Sequence, residues 1–328
     1  KETKKLEGIL KKAKLKARVR HGSRDYFQVI KENVIIEIIP VVATKKPWEA
    51  ENVTDVSLMH VDYIKKKIRQ NKKLADEIKL AKTFCYACDC YGAESYIKGF
   101  SGYALEVLVA YFGSFVKFLK GVGKRSSKDD SGEPRVIDSE KQFKLDRDVL
   151  QEINASKLQS PLVVVDPTYK FRNITAGLSE ETFQRFLAYS KKFLKSPSVK
   201  AFERKKFDIS VFEKLAKKKK SRLIKLKITT DRQEGDIAGT KMKKFFDFLL
   251  WSLNKKEQQV LDKKFVYLGQ GQEAQGYIVV LPKKIIEVGG VDRGLAEAVR
   301  NFKKVRKKTY VRNKKVYANE KVDVNKVL

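Results

Sequence analysis

The chain has 328 residues, enough for two or three domains, and its hydrophobic content of 42% matches that of ordinary globular proteins. Its net charge of +32, from 72 Lys and Arg against 40 Asp and Glu, favours a polyanionic partner, of which nucleic acid is the commonest. No run reaches the roughly 18 apolar residues of a membrane span, and the lysine-rich N-terminus lacks the apolar segment of a signal peptide, so a soluble, cytoplasmic protein without a membrane partner is expected.

Residues 1–18 read as a basic helix, because Leu6, Ile9, Leu10 and Ala13 share one face at helical spacing. Two strand-like runs follow, YFQVI at 26–30 and VIIEII at 34–39, joined by the turn-like KEN, and Pro40 closes the second. Glu37 is the one charge in that second run. An isolated carboxylate among apolar side chains is costly unless a cation, a metal or a hydrogen-bond network meets it, so a partner for Glu37 is expected. Residues 43–55 read as a loop and 58–84 as mostly helical with outward lysines. Residues 102–120 carry apolar side chains at 105, 108, 109, 112, 115, 116 and 119, the pattern of one buried helix.

The segment 121–134 is glycine, serine and charge, which predicts a surface loop; it is not a phosphate loop, because Phe118 stands where that motif requires glycine. PLVVVDP at 161–167 reads as a strand ended by proline. At 178–194 a helix is predicted, with Ser179 as N-cap, Glu180 and Glu181 in the first turn and lysines at the end. From about 196 the composition becomes lysine-rich: residues 196–328 carry +19 of the charge and residues 1–195 the remaining +13. That part predicts a strand at SRLIKLKITT, a helix over KMKKFFDFLLWSLNKKEQQVL and a hairpin over KFVYLGQGQEAQGYIVVLP. The G-x-G there is no dinucleotide fingerprint, since a strand follows it. The last segment combines a basic helix with two short strands bearing Tyr310 and Tyr317, aromatics that suit either RNA contact or a core. Cys85, Cys88 and Cys90 form C-x-x-C-x-C, but neither His21 nor His60 lies at finger-like spacing to complete a zinc site, so reduced cysteines at a helix end are expected.

The block CYGAESYIKGFSGYALEVLVAYFGSF, residues 90–115, closely resembles the Y-G-A-E…R-G-F-S-G-Y signature of the archaeal-type (class I) CCA-adding enzymes, tRNA nucleotidyltransferases that build or repair the tRNA 3′ end. VIIEIIP resembles the strand bearing that family's third catalytic carboxylate, and NVTDVSLMH resembles its D-R-T-P-[LF]-H. VVDPTYKFRNITAGLS and RKKTYVRNKKVYA resemble later family segments, all in the same order. The resemblance implies an α+β multidomain chain. Residues 1–66 would be part of a polymerase-β-like nucleotidyltransferase head, 67–195 a helical neck and central nucleotide-binding domain, and 196–328 a basic, tRNA-binding body and tail.

The resemblance also implies two-metal nucleotidyl transfer, in which Mg²⁺ ions held by three carboxylates activate the tRNA 3′-hydroxyl for attack on the α-phosphate of CTP or ATP. Glu37 matches the third carboxylate, usually aspartate, and is the candidate catalytic and metal-binding residue. His60, Lys82, Tyr91 and Ser57 match nucleotide-binding positions; Lys82 is preferred to Lys79 because it keeps the family distance to Tyr91. Ser57 and Val56 replace the family's Thr and Arg. Arg172 matches the arginine that bonds the incoming base together with the tRNA backbone. Asp166 is read as shaping the turn before Pro167.

One departure matters. The family's first signature, G-S-x-x-[RK]-x-[ST]-[DE]-x-D, supplies the other two carboxylates and is absent; the Gly-Ser in HGSRDYF lacks the acid pair. Position 1 is lysine, and the only methionines are Met59 and Met242. The expectation is a fragment, or one subunit of a split enzyme whose partner chain supplies the missing head, inactive by itself. A non-catalytic RNA-binding protein on the same scaffold and another polymerase-β-like transferase, such as a poly(A) polymerase, are the competing readings.

Overall fold

The structure, a computed structural model, describes residues 2–321 apart from 23, 33, 53, 124–133, 206, 284 and 307, and divides into two units, Lys1–Lys205 and Lys206–Leu328. Most of the 121–134 loop expectation therefore lies outside the described residues.

In the first unit, helix α1 spans Glu2–Lys12 and stops short of the predicted residue 18. Lys14 adopts φ 55°, a left-handed conformation that ends the helix, and Ala17–Arg20 becomes strand β1. Strands β2 (Tyr26–Lys31) and β3 (Val34–Ile38) form the predicted antiparallel hairpin, and β1 adds to it in the order β1-β2-β3. Phe27 and Val29 of β2 are buried, whereas β3 is an edge strand with Val34, Ile35 and Ile36 exposed. The apolar run that holds Glu37 is thus not a buried environment.

Residues 57–87 are mostly helical, as expected, and form two helices. Helix α2 (Ser57–Gln70) ends where Asn71 turns extended, and α3 (Leu74–Ala87) follows. The predicted long helix at 102–120 is likewise two, α4 (Gly102–Phe112) and α5 (Phe115–Val122), bent by 96°. Its apolar periodicity is continuous, but Gly113 takes φ 82° as a left-handed C-cap and Ser114 caps the next helix, accepting from the Lys117 N–H. Beyond lie β4 (Arg135–Ile137), α6 (Asp146–Glu152), the fully buried β5 (Leu162–Asp166), β6 (Tyr169–Asn173) and α7 (Glu180–Lys195). β5 is central, parallel to β4 and antiparallel to β6, and Ser179 caps α7 as predicted, accepting from the Thr182 N–H.

The core of this unit is aromatic. Phe84 of α3 is fully buried, with ring contacts to Phe115, Phe186, Tyr189, Phe193 and Phe202, while Phe100 and Phe118 extend the same cluster. Cys85, Cys88 and Cys90 are free and buried in that core at the end of α3. Burial raises the Cys85 thiol, and a hydrogen bond to Cys90 together with burial raises Cys88. Both are therefore held as neutral thiols. No single helix among the described residues is long and apolar enough to cross a membrane, and the bent α4–α5 pair is instead lined with buried core residues.

The second unit opens with α8 (Ile209–Lys218), β7 (Arg222–Thr229), α9 (Asp236–Lys255), β8 (Gln259–Val266) and β9 (Glu273–Leu281). The sheet runs β7-β9-β8, all antiparallel. On one face Phe212 and Ala216 of α8 pack with Val279. α9 contacts β8 and β9 and buries Ala238, Met242, Phe246, Leu249 and Leu253. A second antiparallel sheet, β10-β12-β11, comprises Ile285–Asp292, Lys315–Lys321 and Thr309–Arg312, with α10 (Ala296–Val305) beside β10. Tyr310 and Tyr317 stack there at 6.0 Å, Tyr310 donating to Glu287. The mixed α+β architecture expected from the sequence holds in both units.

Candidate nucleotide site

The motif at 90–102 builds a closed loop. The Phe100 N–H donates to the Cys90 carbonyl at 2.8 Å and the Gly99 N–H to the Gly92 carbonyl at 2.7 Å. A Cβ at Gly99 would fall 2.3 Å from the Cys90 carbonyl oxygen, so only glycine allows the two backbone segments to meet. This closure sets Tyr91 against the start of α4, where Ser101 caps the helix by accepting from the Ala104 N–H. A Cβ at Gly102 would stand 3.1 Å from the Tyr91 hydroxyl and 3.7 Å from Lys82 Nζ. Lys82, Tyr91 and a helix N-terminus thus converge on one point, an arrangement suited to an anion. Lys82 is held there by Glu106, one turn into α4, at 2.5 Å. Lys79, by contrast, is exposed and pairs with Asp76 at 3.1 Å.

The next residue, Tyr103, begins a second cluster. Its ring stacks on His60 of α2 with centroids 3.9 Å apart, and its hydroxyl donates to Asp166 Oδ1 at 3.1 Å. Asp166, fully buried at the end of β5, also accepts from the Thr168 N–H and hydroxyl, each at 2.8 Å. Its Oδ2 lies 3.1 Å from His60 Nε2 and 3.3 Å from Arg172 Nη1 of β6, and those two nitrogens are 3.1 Å apart. His60 Nε2 can donate to Asp166 or accept from Arg172, not both, so the tautomer decides which bond the guanidinium makes. The turn assigned to Asp166 is present, but the same carboxylate also organises His60, Tyr103 and Arg172.

Burial would raise the Asp166 carboxyl, yet the hydrogen bonds from His60 and Thr168 outweigh it and hold the group below the usual carboxylate range. Asp55 behaves alike. Its burial is outweighed by the Val42 N–H, by a bidentate Arg24 at 2.7 and 2.9 Å, and by the Asn52 N–H. Both folded pKa values lie below the unfolded value of about 3.9, so their stabilisation is complete above that pH and is lost as pH falls through the folded values. Urea midpoints should be flat from about pH 7 to 5 and drop below about pH 4; a midpoint that rises on acidification would contradict the pairing. Tyr63, which donates to Glu140 at 2.6 Å, and Tyr103 are both pushed upward, by burial first and then by Glu140 and Asp166 respectively, and remain hydrogen-bond donors well into alkali.

The remaining candidates stand elsewhere. Ser57 donates to the Thr54 carbonyl at 2.5 Å, closing the turn into α2. Glu37 is exposed on the edge strand and accepts from Gln28 Nε2 at 2.8 Å, so the partner expected from desolvation is a surface amide, and the desolvation argument itself does not apply. No group of three or more His, Cys, Asp or Glu able to hold a metal occurs among the described residues. Glu37 alone does not fit a magnesium ion, which needs further oxygen ligands. Tyr103 and Glu106 lie inside the motif that drew attention to this region, and neither was singled out, because a tyrosine and a glutamate on an apolar helix carry no spacing signal.

A family model described as tRNA nucleotidyltransferase, second domain, matches residues 76–203, which hold Lys82, Tyr91, Tyr103, Asp166 and Arg172. The CCA-adding enzyme of Nanoarchaeum equitans is 41% identical over 175 residues, 53% of this chain and 42% of that protein. That of Pyrococcus abyssi is 28% identical over 186 residues, covering 56% of this chain and 40% of the relative. The Methanocaldococcus jannaschii enzyme is 28% identical over 252 residues, 75% of this chain and 52% of its own length. The chain therefore spans about half the length of these curated relatives, or less. Family model and relatives agree with the signature at 90–115: residues 76–203 are similar to the second domain of tRNA nucleotidyltransferases, and about half of the chain or more is similar to archaeal CCA-adding enzymes.

Proposed function

We propose that this chain binds the acceptor arm of tRNA together with CTP or ATP, and serves 3′-terminal CCA addition. The observation that carries the reading is the convergence of Lys82 and Tyr91 on the start of α4, one residue before Tyr103 meets the His60–Asp166–Arg172 cluster. A triphosphate displaces Glu106 from Lys82 and gains the ammonium and the helix N-terminus. Tyr91 donates a hydrogen bond to it. Arg172, a third exposed beside His60, is positioned to bond a base edge or a tRNA phosphate. The family model's description as a tRNA nucleotidyltransferase domain supports tRNA as substrate, the relatives' name supports CCA addition, and the net charge of +32 supports a polyanion.

The metal carboxylates are not completed by the described residues, so no chemical step is assigned through a metal. Polypeptide outside these 328 residues, in the same protein or a partner chain, would supply the missing pair, and the exposed apolar strand β3 beside Glu37 gives it a surface to join.

The test is filter binding of tRNA lacking its CCA end, with CTP competition and an addition assay. The chain should bind tRNA with an affinity that falls about a thousandfold between 50 and 200 mM salt if about six phosphates are contacted. Lys82→Ala should weaken CTP binding at least about tenfold with little change in melting temperature, since Lys82 is partly exposed. Absence of tRNA binding at low salt would sink the reading, and robust CMP addition by the chain alone would overturn the incomplete metal site.

A further inference from the structure

Helix α9 of the second unit is apolar on both sides, and only one side is used by the core. Phe245, Phe248 and Trp251 are 50%, 56% and 56% exposed. At spacings of three and four residues they form a single stripe with Lys241, Lys244 and Lys255. Singly exposed aromatics need no explanation, but three on one helix face interleaved with three lysines do. The rings are arranged as platforms: Phe248 and Trp251 lie at 5.8 Å with planes 29° apart, and Lys255 Nζ sits 5.0 Å from the Trp251 ring. Asp247 is the carboxylate within the stripe's span, and it pairs with Lys243. Beside the stripe an open cleft of about 570 Å³ runs along the end of β7, lined by Lys227, Lys241 and Phe245 among others, with Asp231 its one carboxylate.

We propose that this stripe and cleft bind unpaired RNA nucleotides, the bases stacking on Phe248 and Trp251 and the phosphates meeting Lys241, Lys244 and Lys255. Stacking on aromatic faces beside a basic track is sequence-tolerant and strong for single strands, because every base offers a π-face and every phosphate a charge. Charge decides against a second copy of the chain: a twofold contact through this face would set each copy's three lysines against the other's. It also decides against a basic or neutral protein segment, which would leave the lysines uncompensated. The inference shares the RNA reading above but concerns a separate surface, built entirely by the second unit and independent of Lys82 and Arg172.

The chain has two tryptophans, so in a Trp48→Phe background Trp251 is the sole indole reporter. Titration with an oligo(A) of about twelve nucleotides should quench Trp251 saturably. Phe248→Ala in that background should raise the dissociation constant about tenfold. The combined Lys241→Gln, Lys244→Gln and Lys255→Gln variant should reduce the salt slope by about two to three. All these side chains are surface groups, and melting curves should be unchanged. Unquenched Trp251, or quenching with unaltered affinity in both variants, overturns the proposal; so does a stripe-dependent dimer in sedimentation. If the stripe variants bind as wild type while Lys82→Ala loses CTP, this inference fails and the proposed function stands. Quenching of Trp251 by oligo(A) in a chain that ignores tRNA and CTP would fail the function and leave the stripe.

Discussion

Replacing Asp166 with alanine should destabilise the first unit by about 3 kcal/mol and abolish ordered nucleotide binding. The buried carboxylate takes bonds from Tyr103, from the N–H and hydroxyl of Thr168, and from the His60–Arg172 pair, so its loss strands several donors at once. Breaking a buried ion pair by removing one partner costs about 3–5 kcal/mol, and the lower figure applies because Arg172 is a third exposed and can turn to water. For a unit of about 200 residues this lowers the melting temperature by roughly 10 °C. Asp166→Asn keeps an acceptor for Thr168 and Tyr103 and should recover about half of the loss. A melting temperature within about 2 °C of wild type for the alanine variant would show that Asp166 is not the organising group.

Phe84→Ala should cost still more, about 3–5 kcal/mol, because a fully buried ring leaves a cavity walled by five other aromatic rings that cannot all collapse into it. The test separates packing from site chemistry. Phe84→Leu should restore much of the stability, whereas no apolar replacement restores Asp166. If Phe84→Ala unfolded no more easily than a surface variant, the aromatic cluster would not be the core of this unit.

Much of this was legible in the residues. The hairpin of β2 and β3 follows from two apolar runs around KEN, α7 from its Ser179 cap and acidic first turn, and β7 and the β8–β9 hairpin from strand and turn signals, although the helix expected to run to residue 261 ends at Lys255 and its last residues belong to β8. These succeeded because each element is marked by its own residues, even where, as for β7 and β9, the pairing partner lies far along the chain. The mostly helical reading of 58–84 holds, with a break at Asn71, whereas the single helix expected at 102–120 failed because apolar periodicity continues across a break that rests on one residue, Gly113. The environment of Glu37 failed because an edge strand and a central strand read alike when both are apolar. Which face is covered depends on neighbours distant in sequence.

The sequence by itself determined the resemblance to archaeal CCA-adding enzymes, the α+β character, and the residues His60, Lys82, Tyr91 and Arg172 as candidates, because those rest on residue identity and order. Only the tertiary structure decided their grouping. His60 and Arg172 are 112 residues apart and meet because Asp166, at the end of a buried strand, costs too much to leave unbonded and so gathers donors from α2, α4 and β6. It likewise decided that α9 keeps an aromatic face in solvent, since burial of Met242, Phe246 and Leu253 already satisfies the sheet and leaves Phe248 and Trp251 outside the core.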